Sequence, residues 1–217
     1  MTTSTTTRTG VRAVWTDFGG VLTPPPAHTF AALCERTGLD ADPLIKAVLT
    51  VTARYGTDDM MLPLDTPLVT EEEWLRQISD VLREEHGVRA HMTSLADTWF
   101  DDRETNRPWL DSLVGARERG RFVGMLSNMP PAWDGHWRRM VPYEFFDDVV
   151  MSFEVGLRKP GREIFDLAAA RAGVEPARCL LVDDLIANCE GARAAGWHAL
   201  HFTDTPGAVA ELERLLG

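Results

Sequence analysis

The sequence predicts an α/β protein that carries an inserted helical segment. Short apolar runs recur along the chain, helical patterns separate the later runs, and one long interval near the N-terminus holds helical patterns alone. Short apolar runs rich in β-branched residues are typical of strands buried in a parallel sheet. At 217 residues, the chain is long enough to bury a full core and to carry an insertion.

Five apolar runs are predicted strands, and helical patterns precede the second, fourth and fifth of them. The strands are VRAVWTDF (11–18), RFVGMLS (121–127), DDVVMSF (147–153), CLLVDD (179–184) and WHALHF (197–202). The helical patterns are RPWLDSLVGARERG, GREIFDLAAARAGV and IANCEGARAAG. Alternation of strand and helix predicts a three-layer, Rossmann-like parallel sheet with right-handed crossovers.

The interval 24–106 offers no convincing buried strand and is expected to form a helical cap. Its helical patterns are HTFAALCERTG, DPLIKAVLTVTARYG and EEEWLRQISDVLREEHG, and it is entered through TPPP, whose prolines predict a stiff, extended hinge. The predicted organisation is a disordered polar tail (1–10), a core made of 11–23 and 107–217, and the cap (24–106).

Composition narrows the class of function. A net charge of −11 with no Lys/Arg cluster argues against a nucleic-acid partner, whereas a small anionic substrate responds only to the field of its pocket. No run approaches a membrane span, and the polar opening lacks the apolar stretch of a signal peptide. Cys34, Cys179 and Cys189 show neither a disulfide framework nor zinc spacing, which favours a reducing cytoplasm.

Acidic side chains stand at the predicted ends of the first and fourth strands. Asp17 is followed by Phe18 and two flexible glycines in DFGG. A carboxylate at this position could attack phosphorus to give an aspartyl-phosphate. Asp183 and Asp184 end a very apolar run, where two adjacent acids are costly unless a cation such as Mg²⁺ compensates them. A tight turn at Asp17 and a helix-capping pair at 183–184 are the structural alternatives.

Two further polar positions are expected at the same edge of the sheet, because the carboxyl ends of parallel strands open there. Ser127 and Asn128 offer a hydroxyl and backbone N–H groups that could cradle a phosphate. Lys159, in GLRKPGREIF, could balance charge on the attacked oxygens and on Asp17. Helix capping and a surface lysine are the corresponding structural alternatives.

Four stretches, DFGGVLT, LSN, RKPGREIF and LVDDLIANCEGARAAG, resemble in order the four motifs of the haloacid dehalogenase-like hydrolase superfamily. The resemblance covers the chain except its tail, and it is strongest outside 24–106, where such proteins carry a helical cap. It implies that Asp17 is the nucleophile and an Mg²⁺ ligand, with the Gly19 carbonyl as a second ligand. Asp184 would bind the metal directly, and Asp183 would support it through water or hydrogen bonds.

The resemblance also implies how the phosphoryl group is held. Ser127 and Lys159 would contact it, together with the backbone of Phe18, Gly19 and Asn128. The expected function is Mg²⁺-dependent hydrolysis of a small phosphorylated metabolite, with sugar phosphates among the candidates, through an aspartyl-phosphate on Asp17. Neither the organic half of the substrate nor the oligomeric state follows from the sequence.

Gly19 departs from the family pattern, since most phosphatases of the superfamily carry there a second Asp that protonates the leaving group. General acid–base catalysis is typically worth about 10² to 10⁴-fold. A leaving group that needs little protonation could dispense with the acid, as in sugar-phosphate phosphatases with Gly at this place. Alternatively His28, Asp134 or His136 substitutes for it, or the protein binds a phosphorylated ligand or partner with weak or no turnover.

Two other interpretations are disfavoured. A 2-haloacid dehalogenase needs no metal, which would leave Asp183 and Asp184 without a purpose, and a mutase relies on the missing acid. His198 and His201 are expected on opposite faces of a strand, a poor arrangement for a metal pair. Trp133 and Trp137 have helical spacing, which favours packing over substrate contact.

Overall fold

The computed structural model describes residues 10–25, 30–31, 34–35, 37–90, 92, 94–101 and 103–217, so the predicted tail lies almost wholly outside it. Five strands form one parallel sheet in the order β3-β2-β1-β4-β5. They are β1 (Ala13–Thr16), β2 (Phe122–Ser127), β3 (Asp148–Met151), β4 (Cys179–Asp183) and β5 (His198–His201). The five strands and the α/β class predicted from the sequence are confirmed.

Ten α-helices have both ends within the described residues, and five of them lie between β1 and β2. These five are α1 (Ala41–Ala53), α2 (Leu62–Asp65), α3 (Glu71–His86), α4 (Leu95–Phe100) and α5 (Arg107–Glu118). The others are α6 (Asp134–Met140), α7 (Ser152–Val155), α8 (Arg162–Ala172), α9 (Ile186–Ala194) and α10 (Thr205–Leu216). None of the helices so described is long and apolar enough to cross a membrane.

One predicted strand ends earlier than its apolar run. The run 147–153 was expected to be a strand throughout, but β3 stops at Met151 and Ser152 begins α7. The buried Ser152 hydroxyl accepts a hydrogen bond from Met129 N (3.0 Å) and donates one to Asp65 O (2.7 Å). These bonds to two other segments turn the chain out of the sheet.

The sheet is apolar on both faces, which explains why its strands have no polar–apolar alternation. Every residue of β1 is buried, and its neighbouring side chains serve different cores. Val14 packs in the larger apolar cluster, which also takes in α1 and α3, whereas Trp15 packs in a second cluster with Phe165 and Trp197. Helical layers therefore cover both sides of the strands.

The regular secondary structure described between β1 and β2 is all helical. α3 begins at a Thr70 cap whose hydroxyl accepts from Glu73 N (3.2 Å), and Gly87, at φ 66°, ends it. At the base of the interval, Asn106 donates from its backbone N to Leu22 O (2.8 Å) and from Nδ2 to Val21 O (2.9 Å). The chain leaving β1 and the chain entering α5 thus lie side by side. The division into a core and a cap at 24–106 stays a prediction.

Candidate active site

Three aspartates meet at the carboxyl edge of the sheet. Asp17 directly follows β1, and Asp183 and Asp184 stand at the end of β4, the strand beside it. The backbone N of Asp17 donates to Val182 O (2.9 Å), which keeps the two strand ends together. One carboxylate oxygen from each aspartate lies within 4.8 Å of the others. The strand ends thus bring together acids that are far apart in sequence.

Lys159 lies among these acids and is 1% exposed. Its Nζ is 3.0 Å from Asp17 Oδ1 and donates a 2.5 Å hydrogen bond to Asp183 Oδ2. Burial opposes the ammonium charge, but the charges of Asp17 and Asp183 outweigh it and raise the pKa of Lys159 above its ordinary value. The lysine is therefore a fixed positive charge between two carboxylates, not a surface residue.

Two contacts hold the backbone of Lys159 in place. The Asn128 side chain accepts from Lys159 N and donates to Lys159 O, both at 2.9 Å. Helix α9 approaches the next residue so closely that a Cβ on Gly191 would lie 2.5 Å from the Pro160 carbonyl oxygen. The sequence pattern suggested a role only for the backbone of Asn128. Its side chain joins the end of β2 to the lysine loop, the segment Arg158–Gly161 that precedes α8.

Asp183 and Asp184 differ in what surrounds them. Asp183 is fully buried, and its Oδ1 accepts from Leu185 N and from Asn188 Nδ2, both at 2.9 Å. The half-buried Asp184 packs against Gly20, where φ is +76° and a Cβ would lie only 2.0 Å from Asp184 Oδ2. Hydrogen bonds from the protein thus fix Asp183, whereas the lack of a side chain at Gly20 leaves space for Asp184.

The cluster carries more negative than positive charge. Three carboxylates and one ammonium leave a formal charge of −2 in a buried space. Burial, then the charge of Asp17 and of Asp183, raises the pKa of Asp184 to about 7. The pKa of Asp17 is also raised, chiefly by burial, although Lys159 opposes the shift. Such a set of carboxylate oxygens fits a hard divalent cation.

The residues expected to hold a phosphoryl group flank this cluster. Ser127 ends β2, the other neighbour of β1, and is 2% exposed. Phe18 is buried, and its ring lies 6.1 Å from that of Phe100. Gly19 does not have a positive φ, and a Cβ built on it would meet no atom within 4 Å. Position 19 therefore has room for a side chain.

Two of the three residues considered as substitutes for the missing acid, Asp134 and His136, are engaged elsewhere. The Asp134 carboxylate accepts from Trp137 Nε1 and Arg138 Nε, both at 2.9 Å. His136 Nδ1 lies 2.9 Å from Arg139 Nη2, and its ring stacks on Phe100 at 5.1 Å. His28 falls outside the described residues. None of these contacts joins Asp134 or His136 to the aspartate cluster.

An ion pair that the sequence analysis missed joins the helical interval to the lysine loop. Arg158 Nε and Nη2 donate to the two carboxylate oxygens of Asp65, each at 3.0 Å. Asp65 ends α2 and is 1% exposed; burial raises its pKa to about 6, although Arg158 opposes the shift. The partners are 93 positions apart in the sequence, so no local sequence pattern could predict that they pair.

The structure also describes the two histidines of β5 and the two tryptophans whose spacing is helical. His198 and His201 are both exposed, and His201 Nε2 lies 3.0 Å from the Asp184 carbonyl oxygen, a contact not foreseen. Trp137 is fully buried and Trp133 is 7% exposed, both within the larger core cluster. The packing interpretation of the two tryptophans is confirmed.

A parallel sheet that gathers carboxylates and a lysine at its carboxyl edge is compatible with a hydrolase. The chain belongs to the haloacid dehalogenase-like hydrolase family, whose model matches residues 11–196. Among curated relatives, the sesquiterpene phosphatase astK of Aspergillus oryzae is 35% identical over 101 residues, 46% of this chain and 51% of that protein. The matched regions cover between 19% and 51% of the length of several such relatives.

Solved structures share the fold. A HAD family enzyme from Bacteroides thetaiotaomicron, in complex with magnesium and inorganic phosphate, has a TM-score of 0.60 at 23% identity, covering 88% of this chain and 93% of that one. L-2-haloacid dehalogenase from Xanthobacter autotrophicus, with chloropropionic acid covalently bound, also has a TM-score of 0.60, at 18% identity over 87% and 76% of the two chains. At these identities the likeness shows the fold alone.

Proposed function

We propose that this protein is an Mg²⁺-dependent phosphatase that hydrolyses a small phosphorylated metabolite through an aspartyl-phosphate on Asp17. The observation that carries the proposal is the position of Lys159 Nζ, 3.0 Å from Asp17 Oδ1 and hydrogen bonded to Asp183. A buried lysine between two carboxylates can offset negative charge as an anionic substrate approaches. The phosphatase activity named for the Aspergillus oryzae relative supports the same chemistry.

In the first step, a carboxylate oxygen of Asp17 attacks phosphorus and the bond to the leaving oxygen breaks. The leaving group either takes a proton from solvent or departs as a stable anion. Water then attacks the phosphorus of the aspartyl-phosphate, which releases inorganic phosphate and restores the Asp17 carboxylate. Lys159 stays charged throughout and balances the oxygens of the transferring group.

The phosphoryl group would be held by the Ser127 hydroxyl, by Lys159 and by backbone N–H groups of Phe18, Gly19 and Asn128. These groups come from the ends of β1 and β2 and from the loop that Asn128 fixes. Because their backbones are held in place before substrate arrives, they need little rearrangement as charge develops on the phosphoryl oxygens.

Asp17, Asp184 and the Gly19 carbonyl would hold Mg²⁺, with Asp183 in support. Asp183 suits the supporting role because its hydrogen bonds to Lys159, Leu185 and Asn188 occupy its oxygens. When bound, Mg²⁺ supplies positive charge for the phosphoryl oxygens. The formal charge of −2 at the cluster favours this metal-dependent reaction over the dehalogenase chemistry, which needs no metal.

A second candidate is a protein that binds a phosphorylated ligand or partner with little or no turnover, and Gly19 is the observation that favours it. Activity without the acid should depend on how readily the leaving group departs, which favours sugar 1-phosphates and acyl phosphates.

The three free cysteines support a reducing compartment such as the cytoplasm for either function.

Phosphate release from a panel of phosphorylated metabolites tests the proposal. We expect Mg²⁺-dependent release that chelator abolishes, and Asp17→Asn should lower kcat at least about 10³-fold because the nucleophile is lost. The matched control is Asp111→Asn, the same chemical change at an exposed position on α5. Equal rates for Asp17→Asn and wild type would disprove the mechanism, and no turnover of any ester would favour the binding protein.

A further inference from the structure

We infer that the organic half of the substrate is an apolar chain, held in a cavity among the helices between β1 and β2. This inference rests on the proposed phosphatase function and names the class of ester it acts on. The cavity has a volume of about 330 Å³. Leu44 and Val48 of α1, Leu75 and Ile78 of α3, Met61 and Trp99 are among its lining residues.

The walls of the cavity favour an apolar occupant. Every described lining residue is a Phe, Leu, Ile, Val, Met or Trp. The surface that these side chains present to the cavity is wholly apolar, so the hydroxyl groups of a sugar would find no hydrogen-bond partners on it. Unpaired buried polar groups are costly. An apolar cavity of about 150 Å³ stays dry and binds benzene. At about 330 Å³, this cavity has room for a longer chain.

Packed aromatic rings connect the cavity wall to the proposed nucleophile. Trp99, which lines the cavity, stacks on Trp133 with ring centroids 5.1 Å apart. Phe100 meets Trp133 edge-on at 5.4 Å and lies 6.1 Å from Phe18, the residue after Asp17. The cavity wall and the residue next to Asp17 are therefore linked by a short series of ring contacts.

A second connection fixes the opposite wall to the phosphoryl site. Met61 lines the cavity and caps α2, and Asp65, at the end of α2, pairs with Arg158. The next residue is Lys159, whose ammonium lies 3.0 Å from Asp17 Oδ1. One short helix thus contacts both the cavity, through its cap residue, and the segment that carries Lys159.

A different cleft, of about 340 Å³, lies beside Asp184 and is the competing place for the organic half. Its lining includes Glu104, Asn106, Thr203 and Asp204. That surface would suit a polar organic half that forms hydrogen bonds, whereas the cavity lined by apolar side chains would suit an apolar one.

A series of 4-ethyl-, 4-hexyl- and 4-decylphenyl phosphate with Mg²⁺, which share one good leaving group and differ in the length of the apolar chain, tests the inference. We expect kcat/KM to rise about two- to fourfold for each added methylene until the cavity is filled. Ile45→Lys, which puts a charge at a lining residue that is 37% exposed, should remove most of this gain. Leu49→Lys should retain it, since Leu49 lies on the same helix at 42% exposure but does not line the cavity.

A binding experiment separates failure of this inference from failure of the proposed function. 4-Decylphenyl phosphate should raise the melting temperature of the Asp17→Asn protein more than 4-ethylphenyl phosphate does, and Ile45→Lys should abolish the difference. If this holds while the wild type hydrolyses no ester, the apolar site stands and the phosphatase proposal fails. Hydrolysis or binding that is independent of chain length, or equal losses in Ile45→Lys and Leu49→Lys, would overturn the inference.

Discussion

Two adjacent glycines after Asp17 have different structural roles. Gly20 has φ +76°, and a side chain there would collide with Asp184. Gly19, by contrast, lacks a positive φ and has open space where a Cβ would stand. Packing thus explains the glycine at position 20 but not the one at position 19, so the missing acid is a chemical feature of this protein and not a requirement of the fold.

Gly19→Asp should therefore fold and supply the missing acid. We expect it to speed hydrolysis of esters with poor leaving groups by about 10²-fold, the lower end of general acid–base catalysis, and to change good leaving groups little. Rates across a series of aryl and alkyl phosphates measure this effect. Gly20→Asp is the matched comparison and should lose activity. A folded Gly19→Asp protein with an unchanged dependence on leaving-group pKa would contradict the prediction.

The sequence predicted which candidate residues meet at the sheet edge, but not the contacts that position them. Asp17, Ser127 and Asp183 could be predicted because parallel strands end at one edge. The Asn128 side chain could not, since its contacts with Lys159 depend on how a loop folds back over 31 residues. The Arg158–Asp65 pair could not be foreseen for the same reason.

At the scale of elements, the approach of α9 to the lysine loop matters most. Gly191 in α9 leaves no room for a Cβ, which would lie 2.5 Å from the Pro160 carbonyl oxygen. Glycine is unfavourable inside a helix, so its use there reflects close packing. The close contact sets the position of the residue immediately after Lys159.

Gly191→Ala should push α9 away from the loop and move Lys159. We expect a loss of about 1–3 kcal/mol in the free energy of unfolding, typical of overpacking, and a fall in phosphatase kcat. Gly115→Ala is the control: Gly115 lies within α5, nothing lies within 4 Å of its Cβ position, and helix propensity predicts a gain of about 0.5–1 kcal/mol. Denaturant unfolding of both variants measures the difference, and equal effects would contradict it.

The strands and five of the longer helices could be predicted, whereas α10 and the short helices could not. All five strands and helices α1, α3, α5, α8 and α9 correspond to patterns in the sequence. The four-residue α2 and the six-residue α4 offer too few residues for periodicity to show. Yet α2 carries Asp65, and α4 carries Trp99 and Phe100, so these short helices join the cavity to the lysine loop and to Phe18.

At the scale of the whole molecule, the proposed chemistry is divided between two parts of the chain. The sheet edge gathers the charged groups, with three carboxylates within 4.8 Å and one buried lysine. The helices between β1 and β2 surround an apolar cavity of about 330 Å³. We propose that the first part acts on the phosphoryl group and that the second selects the organic half.

The central claim is that Asp17 is phosphorylated during turnover, and trapping that intermediate tests it most directly. The protein would be mixed with Mg²⁺ and an ester that it hydrolyses, quenched in acid within the first turnover, digested and examined by mass spectrometry. The account predicts that the peptide containing Asp17 gains the mass of one phosphoryl group, and that neither chelator-treated protein nor Asp17→Asn shows this gain. Phosphate release by Asp17→Asn at the wild-type rate, with no phosphorylated Asp17 peptide from the wild type, would contradict the account.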